Sequence, residues 1–594
     1  MVEKRILEHT IDLLIENNID TFFLVTGGAI VPTIDYIGQH PKAKYYCFQH
    51  EQAAAMAAEG YYRTTDKVGA VLTTSGPGAQ NLLNGVCGCW YESIPCIFIT
   101  GQVSTYESSD SINANPRQLG FQETPIVDSF KGFTKFAAKV TKKENTETIV
   151  KSAIKACKEG RFGPCLIDFP VDIQTATSTF TIEKITHDKV VDIDLDDKIS
   201  VLKDMLNNSK RPLILLGHGV RLSNSSEKAK ELIERLNIPF VVSWGGFDLI
   251  DHSHERFIGD LGVYGRRGAN FAVQNCDLLI SIGSRLDTRQ TGGNLKTFAR
   301  DAKKVMVDID PNELNKTDLK IDLKIKSDAK FFLKKLFDKL KKYNFSNEWL
   351  DYCQSIRKKY PILLKKMIDE KTYVNSYYFV KTLSRYTKKY DSIITDMGFS
   401  FTTTHQALDV KDDQDFFTNS GHAPMGWGLP AAIGAYYSKK KSKANLICLT
   451  GEGGFQMNIQ ELATTMHHKI PIKIFIFNNG GYLTIKQTQI LGFNGRIMGA
   501  DNSSGLSFPN YKHIAKSHKM SYQKIKNHKD LGNNIRDILK SKNATICELI
   551  MNPNEEQIPK AINRRNDAGK SIPTDFEDMY PFLPREELSS NNLD

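Results

Sequence analysis

The residues best suited to chemistry lie within positions 445–482, where an acidic residue and an asparagine each follow an apolar run. The first run, 446–449, leads into a glycine turn that contains Glu452, and the second, 472–477, leads into Asn479. Helix-face spacing of apolar residues between the runs predicts a strand–helix–strand unit. Ligands of parallel sheets bind where the strands end, and carboxylate and amide oxygens are the ligands that Mg²⁺ prefers. The pattern therefore predicts a diphosphate held by a metal ion.

This stretch resembles the thiamine diphosphate motif, in which an acidic residue and an asparagine bind the metal. Asn479 follows Glu452 by 27 positions, and the wider run GGFQMNIQELATT…IPIKIFIFNNGGY is similar to the large subunit of acetolactate (acetohydroxyacid) synthase. The resemblance implies that Glu452, Asn479 and Gly481 bind Mg²⁺. It also implies cofactor contacts from the turn and from the segment after the asparagine: Gly451, Gly453, Gly454, Gly481, Leu483, Thr484 and Ile485.

One residue departs from the family pattern at the metal. The family usually has aspartate where this chain has Glu452, and glutamate is one methylene longer, so the metal or the loop must shift. The alternative interpretation is an ordinary Rossmann-like turn with a surface glutamate. The adjacent pair Asn478-Asn479 argues against that alternative.

Composition and charge are typical of a large globular enzyme. At 594 residues, with 40% hydrophobic and 25% charged, the chain is long enough for about three to four domains. The net charge of +10 is modest and no nucleic-acid motif accompanies it, so we expect no nucleic-acid partner. No apolar run approaches about 18 residues, which argues against a membrane span. Ten cysteines without a CxxC pair, and no signal-peptide core, predict a reduced cytoplasmic protein.

Short apolar runs alternate with helical patterns along most of the chain, which predicts an α/β protein with doubly wound parallel sheets. The resemblance implies three such domains. We expect a pyrimidine-binding domain at 1–185, a central Rossmann-like domain at 198–330, a helical linker at 331–370, a domain for the diphosphate and Mg²⁺ at 371–555, and a tail at 556–594.

Glu51 lies where a predicted strand ends and a helix begins. Taken alone, it is a carboxylate at a helix N-terminus. The segment HEQAAAMAAEGYYRTT, however, resembles the one that carries the cofactor-activating glutamate, so the resemblance assigns Glu51 that role. Gly28 matches a glycine near the reactive carbon, although Val25-Thr26 replaces the usual aromatic-proline pair. Gln122 and Lys135 resemble residues of the substrate channel, and solvent-facing loop positions are the alternative.

In the third domain, the run that contains Ala423 and Met425 matches the family well. The resemblance places Met425 as the apolar wedge between the two rings of thiamine diphosphate, and a gap-filling core methionine is the alternative. Gly398, Phe399 and Ser400 are expected at the diphosphate. The family often has a Gln-His pair after this glycine, so here only the serine hydroxyl and backbone N–H groups remain.

The central domain carries a GxG turn after a strand, which by itself is a weak nucleotide signal. The segments 283–292 and 308–311 resemble the part of acetolactate synthases that holds FAD. The resemblance implies that Arg221, Arg285, Arg289 and Asp308 contact FAD, which would have a structural role because the ligation is redox-neutral. Many relatives keep this domain without a cofactor or with another nucleotide.

The function predicted from these motifs is a decarboxylating carboligase of the acetolactate synthase type, which joins an acyl unit from pyruvate or a similar 2-keto acid to an acceptor carbonyl. Thr488 stands where acetolactate synthases have a tryptophan, and the tail is similar to tails of relatives associated with surface sugars. Acyl transfer to a keto-sugar nucleotide is therefore an alternative. Simple decarboxylation or C–C hydrolysis and a non-catalytic homologue are the others. The family builds its site between subunits, which implies a homodimer or homotetramer.

Overall fold

The fold is described from a computed structural model of the chain. The structure describes residues 3–114, 116–187, 194–316, 319–340, 345–437, 444–565 and 571–593.

The first domain contains a parallel six-stranded sheet. Its strands are β2 (Thr21–Leu24), β3 (Lys44–Cys47), β4 (Gly69–Thr73), β5 (Cys96–Gln102), β6 (Phe136–Lys139) and β7 (Cys165–Pro170), and a short antiparallel pair joins β1 (Lys4–Arg5) to β8 (Thr177–Ser178). The sheet order is β3-β2-β4-β5-β7-β6. The helices are α1 (Ile6–Glu16), α2 (Val31–Gln39), α3 (Glu51–Thr65), α4 (Pro77–Gln80), α5 (Leu83–Glu92), α6 (Ile126–Phe130), α7 (Thr146–Lys158) and α8 (Val171–Thr175).

Both faces of this sheet are buried, which explains why its strands are apolar without a polar alternation. Along β2, Phe22 and Leu24 belong to a core that includes residues of α1 and α7. Phe23, between them, belongs to a second core that includes the alanines of α3. Side chains of a strand point alternately to opposite faces, so helices cover both sides.

The central domain repeats this architecture. Its strands are β9 (Pro212–Leu216), β10 (Phe240–Val242), β11 (Phe257–Asp260), β12 (Leu278–Ile282), β13 (Lys303–Asp308) and β14 (Leu323–Lys326), in the order β11-β10-β9-β12-β13-β14. All neighbours in this sheet are parallel. The helices are α9 (Leu195–Asn207), α10 (His218–Leu222), α11 (Ser226–Leu236), α12 (Arg267–Asn275), α13 (Thr288–Thr291), α14 (Pro311–Asn315) and α15 (Ala329–Lys339).

The third domain has the last parallel sheet. Its strands are β15 (Ser392–Thr395), β16 (Asp415–Phe417), β17 (Leu446–Gly451), β18 (Lys473–Asn478), β19 (Ser521–Ile525) and β20 (Thr545–Ile550), in the order β16-β15-β17-β18-β20-β19. The helices are α18 (Ser376–Tyr386), α19 (Phe399–Ala407), α20 (Gly428–Tyr436), α21 (Glu452–Met457), α22 (Glu461–His467), α23 (Leu483–Gly492), α24 (Tyr511–Ser517) and α25 (Leu531–Lys540). Three doubly wound parallel sheets confirm the predicted fold class.

Two helices connect the central and third domains, and the tail returns to the central domain. The connecting helices are α16 (Asn347–Lys359) and α17 (Lys365–Ile368). The tail forms a hairpin of β21 (Arg564–Arg565) and β22 (Ser571–Ile572) and ends in α26 (Arg585–Ser590). Phe576 is buried in the central-domain core, and Glu577 accepts a hydrogen bond from Gln274 at 2.9 Å. Positions 341–344, 566–570 and 594 of the predicted linker and tail lie outside the described residues.

The first and third domains pack directly through α3 and α20. A Cβ built on Gly60 would lie 2.1 Å from the carbonyl oxygen of Ala431, and one on Gly434 would lie 1.8 Å from that of Ala57. Only glycine allows the two backbones this approach. The contact fixes where the loops before α3 and α20 stand relative to each other.

All ten cysteines are free thiols, and nine of them are buried. Among the described residues, no helix combines the length and the apolar character needed to cross a membrane.

Candidate active site

The acidic residue and the asparagine predicted to act together do meet in the structure. Strands β17 and β18 are parallel neighbours, with Gly451 opposite Phe477, so Glu452 and Asn479 follow them at the same sheet edge. The Glu452 carboxylate is buried and accepts hydrogen bonds from the backbone N–H of Asn479 at 3.0 Å, of Gly480 at 3.1 Å and of Gly481 at 3.3 Å. Burial outweighs these hydrogen bonds and raises the pKa of Glu452 to about 7.

The amide oxygen of Asn479 is a buried acceptor that lacks a hydrogen-bond partner among the described residues. A buried acceptor in this state is costly unless a ligand or water satisfies it. The backbone N–H of the same residue donates to the carboxylate of Glu452, so the two side chains belong to neighbouring positions of one site. These two hard oxygen donors fit a small divalent cation such as Mg²⁺.

A second loop, after β15, lies beside this edge and is organised by Asp396. Its buried carboxylate accepts from Thr450 Oγ1 at 3.0 Å and from the N–H of Gly426 at 3.1 Å, so it joins the ends of β15 and β17 to the loop before α20. A Cβ on Gly454 would lie 2.4 Å from this carboxylate. Burial raises the pKa of Asp396 to about 6. Sequence reasoning missed Asp396, whose only signal is an acidic residue at the end of a strand.

Helix α19 begins at the turn formed by Gly398, Phe399 and Ser400. The groups of this turn that are able to bind a ligand are the backbone N–H groups. Gly398 has φ +89°, which favours glycine. Phe399 is buried in the core, and the Ser400 hydroxyl donates at 3.4 Å to the carbonyl of Met397 in its own turn. The expected hydroxyl contact is therefore not preformed. Thr484 faces this turn, since its Oγ1 lies 4.0 Å from a Cβ built on Gly398.

Met425 and Tyr482 close over Gly453. A Cβ on Gly453 would lie 2.8 Å from Met425 Cε and 2.1 Å from Tyr482 Cε1. Half-buried Met425 thus stands next to the turn that carries Glu452. Ala423 precedes it in the left-handed conformation, at φ +59°, and is exposed. The structure brings the predicted wedge and the predicted diphosphate turn together.

Helix α23 borders the same edge. Leu483 is buried, Thr484 is half-buried and Ile485 is 49% exposed. The neighbouring Thr488 is also exposed, and its hydroxyl donates to the carbonyl of Thr484 at 3.0 Å. The exposed face of this helix carries Ile490 and Leu491 as well as Thr488.

The predicted residues of the first domain gather at the carboxyl edge of its own sheet. Glu51 begins α3 after β3, and its carboxylate accepts from Asn81 Nδ2 at 3.0 Å. Its other oxygen lies 3.3 Å from a Cβ built on Gly78, in the turn after β4. Gly28 follows β2 and faces open space. These contacts of Glu51 are within its own domain.

Gln122 reaches this edge and Lys135 does not. Gln122 has φ +65°, and its carbonyl oxygen lies 2.6 Å from a Cβ built on Gly76, two residues before Gly78. Lys135 comes before β6, at the amino edge of the parallel sheet, and its ammonium donates to the carbonyl of Glu159. Lys139 ends β6 at the carboxyl edge, where it donates to Ser108 Oγ at 2.7 Å. Lys139 therefore lies at the same edge of the sheet as Glu51, and Lys135 lies at the opposite edge. Residue spacing in the sequence does not predict this difference.

A cleft of about 390 Å³ opens in the central domain, towards the first domain. Its size falls within the range of roughly 300–1,000 Å³ that is usual for small-molecule sites. Gly217 and Gly283 cross closely at its floor, since a Cβ on Gly217 would lie 2.2 Å from the carbonyl of Gly283. Arg285, Arg289 and Asp308 line the cleft as predicted from the sequence. Burial raises the pKa of Asp308 to about 6.

Arg221 does not line this cleft. Its guanidinium pairs with Asp248 at 2.7 Å, a partner 27 positions further along the chain. Arg161 of the first domain lines the cleft instead, held by Asp310 at 3.1 Å and Glu313 at 2.7 Å. Sequence reasoning missed Arg161 because it lies in a different domain.

The cleft and the loop that carries Met425 share a buried carboxylate, Glu92. It lines the cleft, pairs with Arg63 at 2.9 Å and accepts from the backbone N–H of Gly421 at 2.5 Å. Burial disfavours its charge, but Arg63 and other cations prevail and hold the pKa of Glu92 at about 2. The ionised carboxylate therefore anchors one end of this loop.

Family models match all three domains. Residues 4–130 match the thiamine pyrophosphate enzyme N-terminal TPP binding domain, residues 199–336 the central domain and residues 396–549 the C-terminal TPP binding domain. The chain is 32% identical over 569 residues to the acetolactate synthase large subunit of Cyanidium caldarium, covering 92% of this chain and 93% of that one. It is 32% identical over 493 residues to the acetolactate synthase isozyme 2 large subunit of Escherichia coli (strain K12), covering 80% and 83%. Against the large subunit of Lactococcus lactis subsp. lactis it is 30% identical over 550 residues, covering 92% of each.

Proposed function

The chain belongs to the thiamine pyrophosphate enzymes, as a carboligase of the acetolactate synthase type, and on this premise we propose that its donor is pyruvate or a similar small 2-keto acid. The single observation that carries the proposal is the shared sheet edge of Glu452, Asn479, Gly453 and Met425. The relatives are acetolactate synthases, which favours a 2-keto acid as the donor for this chain as well.

Thiamine diphosphate, when bound, supplies a nucleophilic carbon and an electron sink for loss of CO₂. We assign this chain's residues the tasks of binding, orienting and moving protons. Met425, next to Gly453, would support the cofactor, and the backbone N–H groups at Gly398–Ser400 and Gly453–Gly454 would bind its diphosphate. Glu51 holds or releases a proton at its carboxylate, and Asn81 fixes one of its oxygens at 3.0 Å.

We assign a Mg²⁺ site to Glu452, Asn479 and the backbone of Gly481. The unpartnered amide oxygen of Asn479 and the adjacent carboxylate support this assignment. Mg²⁺ usually takes one or two carboxylate ligands and completes its shell with phosphate and water. To bind the ion, the side chain of Glu452 would rotate away from the three backbone N–H groups that now donate to it. The methylene that glutamate has in addition to aspartate allows this rotation.

We assign FAD to the central cleft. Arg285 and Arg289 line it and supply positive charge, and Asp308 at the end of β13 stands where a ribose or adenine donor is expected. Arg161 of the first domain also lines the cleft but pairs with Asp310 and Glu313, and Arg221 pairs with Asp248 outside the cleft. Purified protein should then be yellow, with flavin released on denaturation.

We propose that two copies form the working site, as a homodimer or as a homotetramer of such dimers. The first domain exposes apolar side chains beside its catalytic edge, with Tyr106 at 71% and Phe121 at 85%. The third domain exposes Leu491 at 58%, Phe493 at 55% and Met498 at 74% beside its own. Exposed apolar patches of this kind mark interfaces, and pairing these two would set Glu51 of one copy against Met425 of the other.

A second candidate is transfer to a larger, hydroxylated acceptor such as a keto-sugar nucleotide. The observation that favours it is Thr488, an exposed, small and polar side chain of α23 at the position where acetolactate synthases have an indole. A smaller and more polar side chain enlarges the acceptor side of the site.

Product analysis by mass spectrometry tests both candidates. The protein is incubated with thiamine diphosphate, Mg²⁺ and pyruvate, with and without a keto-sugar nucleotide. Acetolactate without the added acceptor supports the leading proposal. CO₂ release that depends on the keto-sugar supports the second. Failure of every 2-keto acid while thiamine diphosphate is bound would overturn the donor assignment.

A further inference from the structure

A second cavity, of about 180 Å³, lies where the central domain, the segment after α16 and the third domain meet. It shares no lining residue with the flavin cleft or with the thiamine diphosphate edge. Part of its lining, here called the apolar wall, includes Ile258, Ile362 and Leu363. The charged and polar lining residues form the polar wall, so the cavity is suited to a ligand with both a charged and an apolar part.

Three cations line the polar wall, one from each of three elements. Arg266 precedes α12, Arg357 belongs to α16 and Lys381 belongs to α18. Arg266 is 8% exposed, so its charge lies deep in the protein. Like charges brought together in this way repel unless an anion lies between them.

The carboxylates nearby do not balance these charges. Asp409, which also lines the cavity, pairs with Lys381 at 2.5 Å. Asp260, which is not a lining residue, lies 3.2 Å from Arg266 Nε, and burial raises its pKa to about 7. Even with both carboxylates ionised, three cations face two anions, and one positive charge is unmatched. The buried rings His252 and His405 add none, since burial holds their pKa values below the ordinary range.

Backbone carbonyls hold the two guanidinium groups in place. Arg266 Nη2 donates to the carbonyl of Leu408 at 2.9 Å, and Arg357 donates to the carbonyls of Phe257 at 2.5 Å and His252 at 3.1 Å. Carbonyls orient a guanidinium without neutralising it. Burial lowers the pKa of Lys381, Asp409 opposes this shift, and the nearby Arg266 and Arg357 add to the lowering. The unrelieved repulsion is what an anion in the cavity would remove.

We propose that this cavity binds a small phosphate-type oxyanion, either free phosphate or the terminus of a small phosphate monoester. Planar guanidinium groups recognise such oxygens through paired hydrogen bonds. The volume admits an ion of this size, and the apolar wall would face the ester group of a monoester. Bound there, the anion would join the central domain to the third domain through Arg266, Arg357 and Lys381.

Titration calorimetry on the protein saturated with thiamine diphosphate, Mg²⁺ and FAD tests the proposal. Inorganic phosphate is added at an ionic strength matched with chloride, so that general screening is constant. We expect saturable binding that weakens at least about tenfold in Lys381→Met and in Arg357→Met. Lys389→Met is the matched control, because Lys389 also pairs with a carboxylate on this domain, Asp413 at 2.7 Å, but does not line the cavity.

A parallel titration with methyl phosphate separates the two sources. Equal affinity for methyl phosphate would indicate an ester, and its exclusion would indicate the free ion. The proposal is overturned if phosphate fails to bind saturably, or if Lys381→Met and Arg357→Met bind it as tightly as the control. Lys381 is partly exposed, so its variant keeps the test valid should Arg357→Met fail to fold.

Discussion

The indole N–H of Trp427 donates a hydrogen bond of 2.8 Å to Glu59 Oε2, which joins the loop that carries Met425 to helix α3 of the same chain. Asn419, at the start of this loop, donates to the same oxygen at 2.9 Å. Glu92 holds the loop between them through Gly421. Two buried carboxylates of the first domain thus set the position of the loop that carries Met425 in the third.

Replacing Glu59 should destabilise this junction. Glu59 is fully buried and pairs with Arg63 at 2.8 Å. Glu59→Gln leaves Arg63 paired with Glu92 alone and sets an amide NH₂ group against side chains that now donate to Glu59, and an unsatisfied buried group of this kind costs about 1–3 kcal/mol. Urea unfolding should therefore begin at lower concentration. Asp128→Asn, which removes an exposed ion pair with Lys131, should change stability by less than about 0.5 kcal/mol. Equal effects of the two substitutions would contradict the buried anchor.

Gly453→Ala should weaken thiamine diphosphate binding. Its Cβ would meet Tyr482 at 2.1 Å and Met425 at 2.8 Å, so both side chains would be displaced from the cofactor. Overpacking of this kind costs about 1–3 kcal/mol, which corresponds to roughly ten- to hundredfold in affinity. Gly38→Ala, in α2 with open space around it, is the control. Quenching of tryptophan fluorescence by the cofactor measures both, and unchanged affinity in Gly453→Ala would contradict the assigned geometry.

Variants of Lys135 and Lys139, which flank the two edges of the sheet at β6, should differ in kinetics. Lys139 orders the loop that leads to Gln122, through Ser108 at 2.7 Å and Asp110 at 2.9 Å. Lys139→Met should raise the KM for the 2-keto acid several-fold, since a misplaced loop loses its orienting contacts. Lys135→Met should leave KM unchanged, because Lys135 is at the opposite edge. Steady-state kinetics that show the reverse order would place the substrate elsewhere.

Glu461 should make stability depend on pH. It is fully buried, and burial raises its pKa to about 7, above its ordinary value of 4.5, although it accepts from Thr464 at 2.7 Å. The folded state therefore holds this proton more tightly than the unfolded state, and stability falls as the pH rises between those two values. Glu461→Gln should gain up to about 3 kcal/mol over the wild type at pH 8. The gain should vanish near pH 4, and a gain independent of pH would exclude titration as its cause.

Much of this arrangement could be predicted from the sequence. Glu452 and Asn479 follow apolar runs of one strand–helix–strand unit, and parallel strands bring their ends to one edge, so the meeting of the two residues was predictable. The apolar strands and glycine turns likewise indicated three doubly wound sheets.

The missed features depend on contacts between distant parts of the chain. The sequence suggested that Arg221 binds a phosphate, but its guanidinium forms an ion pair with Asp248. Lys135 resembled a residue of the substrate channel, but it precedes β6 and therefore lies at the amino edge of the sheet, away from Glu51. Glu59 and Arg63, one helical turn apart in an alanine-rich helix, were the visible signal of the buried network. Their partners Trp427 and Glu92 lie in other elements, so no local sequence pattern predicts these contacts.

The release of CO₂ from pyruvate, with thiamine diphosphate and Mg²⁺ present, tests the proposed chemistry most directly when wild type and Glu51→Gln are compared. Glutamine keeps the size of the side chain but cannot carry the proton, and loss of such a group typically costs roughly 10²–10⁴-fold in rate. We predict steady CO₂ release by the wild type and a loss of that order in Glu51→Gln, with cofactor affinity retained. Equal rates in the two proteins would contradict the role of Glu51, and no release from any 2-keto acid by the cofactor-loaded wild type would contradict the proposed decarboxylation.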